Sequence, residues 1–523
     1  MQVGFSFSQL IVRAARIERA EDAVVFGRVR TSSWRATLER VQRFAGALKM
    51  LGVEADDRVA MLALNSDLYL QYYFAVPWAG GVLVPINTRL APAEVVHWLN
   101  DSGARVLLVD ESFVPVIEQI KSQLESVEKF VYVGENATPS GFERLDDLLA
   151  AAQPVEDAGR SGDDLVALFY TGGTTGQSKG VMLTHNGVIT NTLQWCVSIG
   201  VSAEDHLLIV APMFHMVAGL NSIATAMLAA RVSILPRFDP EVVLAHIQDF
   251  RVTKIAVVPT MIHALLHHPN VGRYDLSSLR KISYGGSPMS LPLLERALEL
   301  LPQAQFYQIY GQTEGGPNIS CLSAKYHDPK APDGGKMKSA GCPIPGVEVT
   351  IRDEDDNEVP PGVVGEICVR SPAVSPGYWR RPEETAFALR NGILHTGDAG
   401  YMDEDGFIYI VDRLKDMIIS GGENVYSAEV EAVLYKHPAV AECVVIGIPH
   451  DVWGEQVHAI VRVHEGKTVT EEELIAHCRN FLAGFKCVRS VTFRTEPFPL
   501  SGANKILKRE LRKPFWEGRE RKI

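Results

Sequence analysis

The residues Tyr170-Thr-Gly-Gly-Thr-Thr-Gly-Gln-Ser-Lys-Gly180 follow an apolar run and bring together four glycines, three threonines and a lysine. Glycines let backbone N–H groups close around phosphate oxygens, threonine hydroxyls add donors, and the Lys179 ammonium supplies positive charge. The segment is not a Walker A loop, which needs Gly directly before the lysine and Ser or Thr after it. Here Ser178 precedes Lys179 and Gly180 follows. Further on, Gln308-Ile-Tyr-Gly-Gln-Thr-Glu314 sets a ring, a hydroxyl and a carboxylate in one turn. Tyr310 can stack on a base, Thr313 can bond a phosphate, and Glu314 suits a hard cation such as Mg²⁺. Thr396-Gly-Asp398 and Asp412-Arg-Leu-Lys-Asp416 add a carboxylate and a guanidinium. Together these groups fit phosphoryl chemistry on a nucleotide.

In type and order the motifs resemble those of the adenylate-forming superfamily of acyl-CoA synthetases, adenylation domains and beetle luciferases. The resemblance covers nearly the whole chain. It implies an ATP/AMP site made of Thr171, Gly172, Gly173, Thr174, Thr175, Lys179, Gly286, Ser287, Pro288, Gln308, Tyr310, Gly311, Thr313, Asp398, Arg413 and Lys505. Lys179, Glu314 and Lys505 are the implied catalytic groups, with Glu314 holding Mg²⁺. Ala211-Pro-Met-Phe-His-Met216 and Ser283-Tyr-Gly-Gly-Ser-Pro288 imply an acyl pocket bordered by His215, Val217, Gly219 and Gly285. Ser420-Gly-Gly-Glu-Asn424 implies a coenzyme A tunnel at Gly421 and Gly422, and Lys415 matches a hinge. Two positions depart from the pattern. Ser178 stands where many relatives have Pro, and Asn504 stands where they have Gly, though Asn tolerates left-handed backbone.

The activity implied is that of an acid–thiol ligase: a carboxylate attacks the α-phosphate of ATP, pyrophosphate leaves, and coenzyme A takes the acyl group from the adenylate. Phe214–Asn221 carries no acidic residue to pair a substrate ammonium, which disfavours an amino acid. Val217 stands where plant hydroxycinnamate ligases carry Tyr. The expected acid is a medium- or long-chain fatty acid; the alternatives are an aryl, hydroxycinnamate-like acid, or transfer of the acyl group to a carrier protein. A luciferase-like oxidation and a non-catalytic nucleotide-binding module are the competing classes. Glu314, Asp398, Arg413 and Lys505 together speak against the second.

Behind these loops, short apolar runs alternate with helical patterns through the first ~400 residues, at 58–64, 106–109, 165–170, 254–258 and 281–284. Such alternation predicts βαβ units and mostly parallel sheets. Val347–Ile351 and Gly365–Arg370 flank an acidic Pro-Gly turn and predict a hairpin. A last regime predicts strands over 440–446, 456–463 and 490–494, a helix capped by Thr470 and Glu473, and a helix over 506–512. The expected fold is α/β: a large N-terminal domain of αβαβα layers with a small β-barrel-like part (1–412), a hinge (413–416), and a small C-terminal α+β domain (417–523).

The bulk properties exclude other classes. The chain has 523 residues, 46% hydrophobic and 22% charged, which fits a globular protein of several domains. Its net charge of -12, with no basic stripe, argues against nucleic acid as a partner. The seven cysteines form no CxxC pair, which predicts a reducing, cytoplasmic setting without structural zinc. No secretory pattern opens the chain, 521–523 is not Ser-Lys-Leu, and the apolar stretches 73–86 and 217–230 are too short to span a bilayer. The expected partners are therefore a small carboxylic acid, ATP with Mg²⁺ and coenzyme A; a homodimer is compatible with these features.

Overall fold

The computed structural model describes residues 4–17, 19–28, 30–171, 178–287, 289–328, 334–420, 423–500 and 506–517. The chain divides into two compact units. The first comprises Met1–Thr171, Gln177–Val349 and Val369–Leu394; the second includes Thr350–Cys368 and His395–Ile523.

The first unit is built on two sheets. One runs Cys342–Pro343, Ser320–Leu322, Gln305–Tyr310, Lys281–Gly285, Lys254–Val257, His206–Ile209, Arg231–Ile234, Val24–Phe26 and Arg30–Ser32, with a parallel centre. The other runs Glu143–Arg144, Lys129–Val133, Ala104–Asp110, Arg58–Leu62, Val82–Pro85, Leu165–Thr171 and Lys179–Thr184. Its strands are parallel except the last, which folds back as a hairpin. Both sheets bury both faces, so their strands read as continuous Val/Ile/Leu runs rather than alternating ones.

Three apolar clusters give the layering. The largest joins both sheets through helices Phe7–Ile17, Trp34–Met50, Asp67–Trp78 and Met216–Leu228. A second packs helices Pro240–Phe250, Pro259–Leu266 and Leu291–Leu300 on the far side of the first sheet. The third packs Pro92–Ser102 and Val114–Ile120 on the far side of the second. The result is the expected αβαβα stack.

The second unit holds a four-stranded sheet, ordered Glu348–Arg352, Gly365–Arg370, Leu394–Met402, Ile408–Arg413. The two segments read as a hairpin are neighbours in it. A single turn, Leu414–Asp416, separates it from a further sheet, in which Val440–His450 and Gly454–Val463 pair antiparallel and Ser490–Phe493 joins parallel. Thr470 Oγ1 accepts from Glu473 N at 3.2 Å while Glu473 Oε2 accepts from Thr470 N at 2.8 Å, which is the reciprocal cap the sequence predicts. The capped helix ends at Arg479, and the last helix covers Lys508–Arg512. Among the described residues no helix is long and apolar enough to cross a membrane.

Burial pushes His185, His206, His246, His327 and His458 each down to about 4. The unfolded chain then binds more protons than the folded one between about pH 6.5 and 4, so stability is lost as the pH drops through that window. His246 is 1% exposed and stacks on Phe250 at 4.2 Å, yet neither ring nitrogen has a hydrogen-bond partner among the described residues. We predict that His246→Leu raises the melting temperature at pH 7 and flattens the acid slope. A lower melting temperature at both ends of the window would contradict this.

Candidate active site

Strand Leu165–Thr171 is buried because every residue from Val166 to Tyr170 packs into apolar layers. Its antiparallel return puts Thr171 opposite Lys179 and Tyr170 opposite Gly180. The Tyr170 ring stacks on Trp98 at 4.8 Å, and its hydroxyl donates to Asp101 Oδ2 at 2.7 Å. Arg381 holds the other oxygen of Asp101 at 3.0 Å. On the returning arm, a His97 ring nitrogen lies 3.2 Å from the Ser178 carbonyl oxygen. Both roots of the glycine-threonine segment are thus pinned. Gly172, Gly173, Thr174 and Thr175 themselves lie outside the described residues.

Lys179 Nζ lies 5.0 Å from the centre of the Tyr378 ring, and the Tyr378 hydroxyl donates to Glu314 Oε1 at 3.0 Å. Thr171 Oγ1 donates to the same oxygen at 3.4 Å. Glu314 sits in the turn Thr313–Gly315, whose carbonyl at residue 314 accepts from Ser375 N at 2.8 Å. Its second carboxylate oxygen accepts no hydrogen bond from the described residues. A carboxylate with one oxygen fixed and the other open is a donor suited to Mg²⁺. Burial pushes the Tyr378 phenol well above its ordinary range, so it stays a donor.

Tyr378 escaped the sequence reading. Backbone bonds from Met182 N to Gly377 O and from Trp379 N to Gly180 O lay its segment along the hairpin. The signal was present in Pro376-Gly-Tyr-Trp379, an aromatic pair after a turn glycine, but nothing local ties it to a carboxylate 64 residues earlier.

The parallel strands Lys281–Gly285 and Gln305–Tyr310 end side by side, with Tyr284 opposite Gln308 and Gly285 opposite Ile309. A Cβ on Gly285 would strike the Ile309 carbonyl oxygen, so only glycine allows this closeness. The Tyr284 hydroxyl lies 3.2 Å from Gln308 Oε1 and 3.0 Å from His327 Nε2. Gly286, Ser287, Tyr310, Gly311 and Thr313 follow directly at these carboxyl ends, where open α/β sheets bind ligands. Pro288 lies outside the described residues.

His215 is the N-cap of helix Met216–Leu228, and its ring packs on Phe214 at 4.5 Å. Buried Asn65 fixes the preceding turn, accepting from Met213 N at 2.7 Å and donating to Ala211 O at 3.0 Å. Val217 is half exposed, whereas Gly219 is turned toward the Tyr73 hydroxyl. The two do not share a face of the helix.

In the second unit Asp398 and Arg413 face each other across antiparallel strands, with Oδ1 and Nε 2.6 Å apart. The turn before Asp398 is tightly held. Gly397, at φ +71°, donates to Glu366 Oε1 at 2.9 Å, and Thr396 Oγ1 donates to Ile367 O at 2.7 Å. The other Glu366 oxygen lies 2.8 Å from His395 Nδ1. Glu366 was also missed, since a single Glu in a strand carries no local signal. Asp412 accepts from Arg413 N at 2.7 Å and from Ser427 Oγ at 2.6 Å, and Asp416 bonds Arg512 at 3.2 Å. Burial lowers the Lys415 ammonium to about 8, with Asp416 opposing that shift. Gly421, Gly422 and Lys505 lie outside the described residues.

Comparison with known proteins gives these arrangements a family. Residues 12–379 match the model of the AMP-binding enzyme family, and 429–505 match that of the AMP-binding enzyme C-terminal domain. The chain is 39% identical over 505 residues to a feruloyl-CoA synthase of Amycolatopsis sp, covering 96% of this chain and 98% of that one. It is also 39% identical to the fatty acid–[acyl-carrier-protein] ligase ScoC of Streptomyces coeruleorubidus, covering 94% and 93%. Among solved structures, a Mycobacterium tuberculosis fatty acyl CoA synthetase superposes with a TM-score of 0.79 at 33% identity, covering 97% and 98%. The chain belongs to the adenylate-forming, AMP-binding enzyme family and is an AMP-forming acid–thiol ligase.

Proposed function

We propose that this chain joins a carboxylic acid to coenzyme A at the expense of ATP. The substrate carboxylate oxygen bonds to the α-phosphorus and pyrophosphate leaves; the thiolate then bonds to the acyl carbon and AMP leaves. The observation that carries this reading is the Glu314 carboxylate, held on one oxygen by Thr171 and Tyr378 beside Lys179. No protein nucleophile is needed, because the work is positioning and charge neutralisation.

In this reading Glu314 would hold Mg²⁺, which would supply neutralisation of phosphate charge when bound. Lys179 and the hydroxyl-rich segment 171–175 bind the leaving pyrophosphate. Tyr310 stacks on adenine, Gln308 and Thr313 bond the nucleotide, and the turn 285–288 lets a flat ring approach the backbone. Asp398 accepts from the ribose hydroxyls, and Arg413, paired with it at 2.6 Å, also reaches the nucleotide. His215 and Val217 border the acyl group. Lys505 stabilises the charge that develops as the acid attacks, Gly421 and Gly422 line the thiol's path, and Lys415 is the hinge.

A carrier protein as acceptor is the second reading, favoured by the carrier-protein ligase among the relatives at the same identity. AMP release measured with coenzyme A and with a phosphopantetheinylated carrier, across acetate, hexanoate, palmitate, benzoate and ferulate, separates the two. Coenzyme A is expected to support turnover; release with the carrier alone would sink the first reading.

Two substitutions divide the steps. Glu314→Gln is expected to slow adenylation by about 10²-fold and to raise the Mg²⁺ concentration needed for half-maximal rate. An unchanged Mg²⁺ requirement would remove Glu314 from the metal. Lys505→Ala should cripple adenylation yet spare thioester formation from supplied acyl-adenylate. Equal losses in both half-reactions would refute the division of labour.

A further inference from the structure

Lys254 is the one lysine among the largest fully buried side chains of the described residues. It opens the strand Lys254–Val257, beneath helix Met216–Leu228. Its Nζ donates to Asn221 Oδ1 and lies 4.1 Å from the centre of the Trp195 ring. An ammonium carries three donors, and Asn221 is its single hydrogen-bond acceptor among the described residues. Burying a charge with so little compensation costs several kcal/mol, so packing alone does not explain a lysine here. Burial lowers it to about 7, with Cys196 and Asp205 opposing that shift and Lys281 adding to it.

Two walls lead from the acyl site to this amine. On the helix, Asn221 lies four residues beyond Val217 and so on the same face, about 6 Å deeper along the axis. Exposure falls along that face from 50% at Val217 to 5% at Asn221. On the sheet, Lys254 points to the helix, so Ala256 does too, and Ala256 pairs with Ser283. Ser283 is two residues below Gly285 on the same face. Two adjacent strands of this face thus offer small side chains, Gly285, Ser283 and Ala256, that end at an amine, with Tyr307 flanking Ser283 on the next strand. The depth from Gly285 to the level of Lys254 is four residues of strand, about 13 Å, from which the lysine side chain reaches back. That accommodates one ring on a three-carbon chain and stops well short of an extended sixteen-carbon tail.

Resting on the acyl site proposed above, we propose that Lys254 and Asn221 form a polar floor to the acyl pocket, and that this floor selects an arylpropenoic acid bearing a para oxygen. The ring lies between the helix and the small-residue wall, and its oxygen accepts from the ammonium, supplying an acceptor that the protein does not. An unbranched fatty acid places a methyl group there and leaves the amine uncompensated. The acid is thereby moved from the medium- or long-chain class to the hydroxylated aryl class.

The test compares 4-coumarate, cinnamate and decanoate in coenzyme A-dependent AMP release, in the wild-type full chain and in Lys254→Met and Asn221→Ala. Coumarate and cinnamate differ only by the para hydroxyl. A site built around a hydroxyl rejects the analogue lacking it strongly, so the wild-type kcat/KM ratio of coumarate to cinnamate should exceed about 30. In both variants that ratio should fall at least tenfold, whereas a purely structural role would lower all three acids together. A wild-type ratio near 1, or a ratio unmoved by either substitution, overturns the polar floor. If a variant does not fold, the wild-type ratio decides. Turnover of decanoate with no turnover of coumarate defeats this inference and leaves the ligase reading standing; silence with every acid defeats the ligase reading itself.

Discussion

One carboxylate oxygen, Glu314 Oε1, ties together residues from three distant parts of the chain. Thr171 reaches it from the end of a buried strand, Tyr378 from a segment laid along the adjoining hairpin, and the glutamate itself from the turn after a strand of the other sheet. Phosphate chemistry in a chain of net charge -12 needs local positive charge and an open metal ligand against a repelling global field. Fixing one oxygen with two neutral donors leaves the other open, as the proposed role toward Mg²⁺ requires. The stacked pair Trp98–Tyr170 and the ion pair Arg381–Asp101 hold the segments that deliver those donors.

The layered α/β fold was legible because fully buried parallel strands leave continuous apolar runs, and because the αβ alternation fixes their crossover helices. The capping box at Thr470 was legible because both of its partners lie within one turn. The dense motifs that carry the proposed site residues Thr171, Lys179, Glu314 and Asp398 were legible in the same way, since their members lie within a few residues of one another. Tyr378, Glu366 and Lys254 were not. Each acts on a partner far along the chain or buried in another layer, and nothing in local spacing marks such a pairing. Val217 and Gly219 illustrate the converse: neighbours in sequence that a helix turns to different surroundings.

The same contrast separates chemistry from specificity. Nucleotide chemistry rests on loops at the carboxyl ends of strands, where a few residue types suffice and motifs survive. In the proposed reading, acid choice rests on what fills the space between a helix and a sheet, where volume and a single polar group decide. Relatives that name a feruloyl substrate and a fatty acid are equally similar to this chain, so overall identity does not report on that space. The proposal places that choice on Asn221, Ser283, Ala256 and Lys254.

The central claim is that the substrate's own carboxylate oxygen attacks the α-phosphorus. Turnover of an acid labelled with ¹⁸O in both carboxylate oxygens, followed by mass analysis of AMP and pyrophosphate, tests it most directly. The account predicts one ¹⁸O in each AMP released and none in pyrophosphate. Label in pyrophosphate or inorganic phosphate, or unlabelled AMP alongside thioester product, would contradict an acyl-adenylate and the reading of the site built on it.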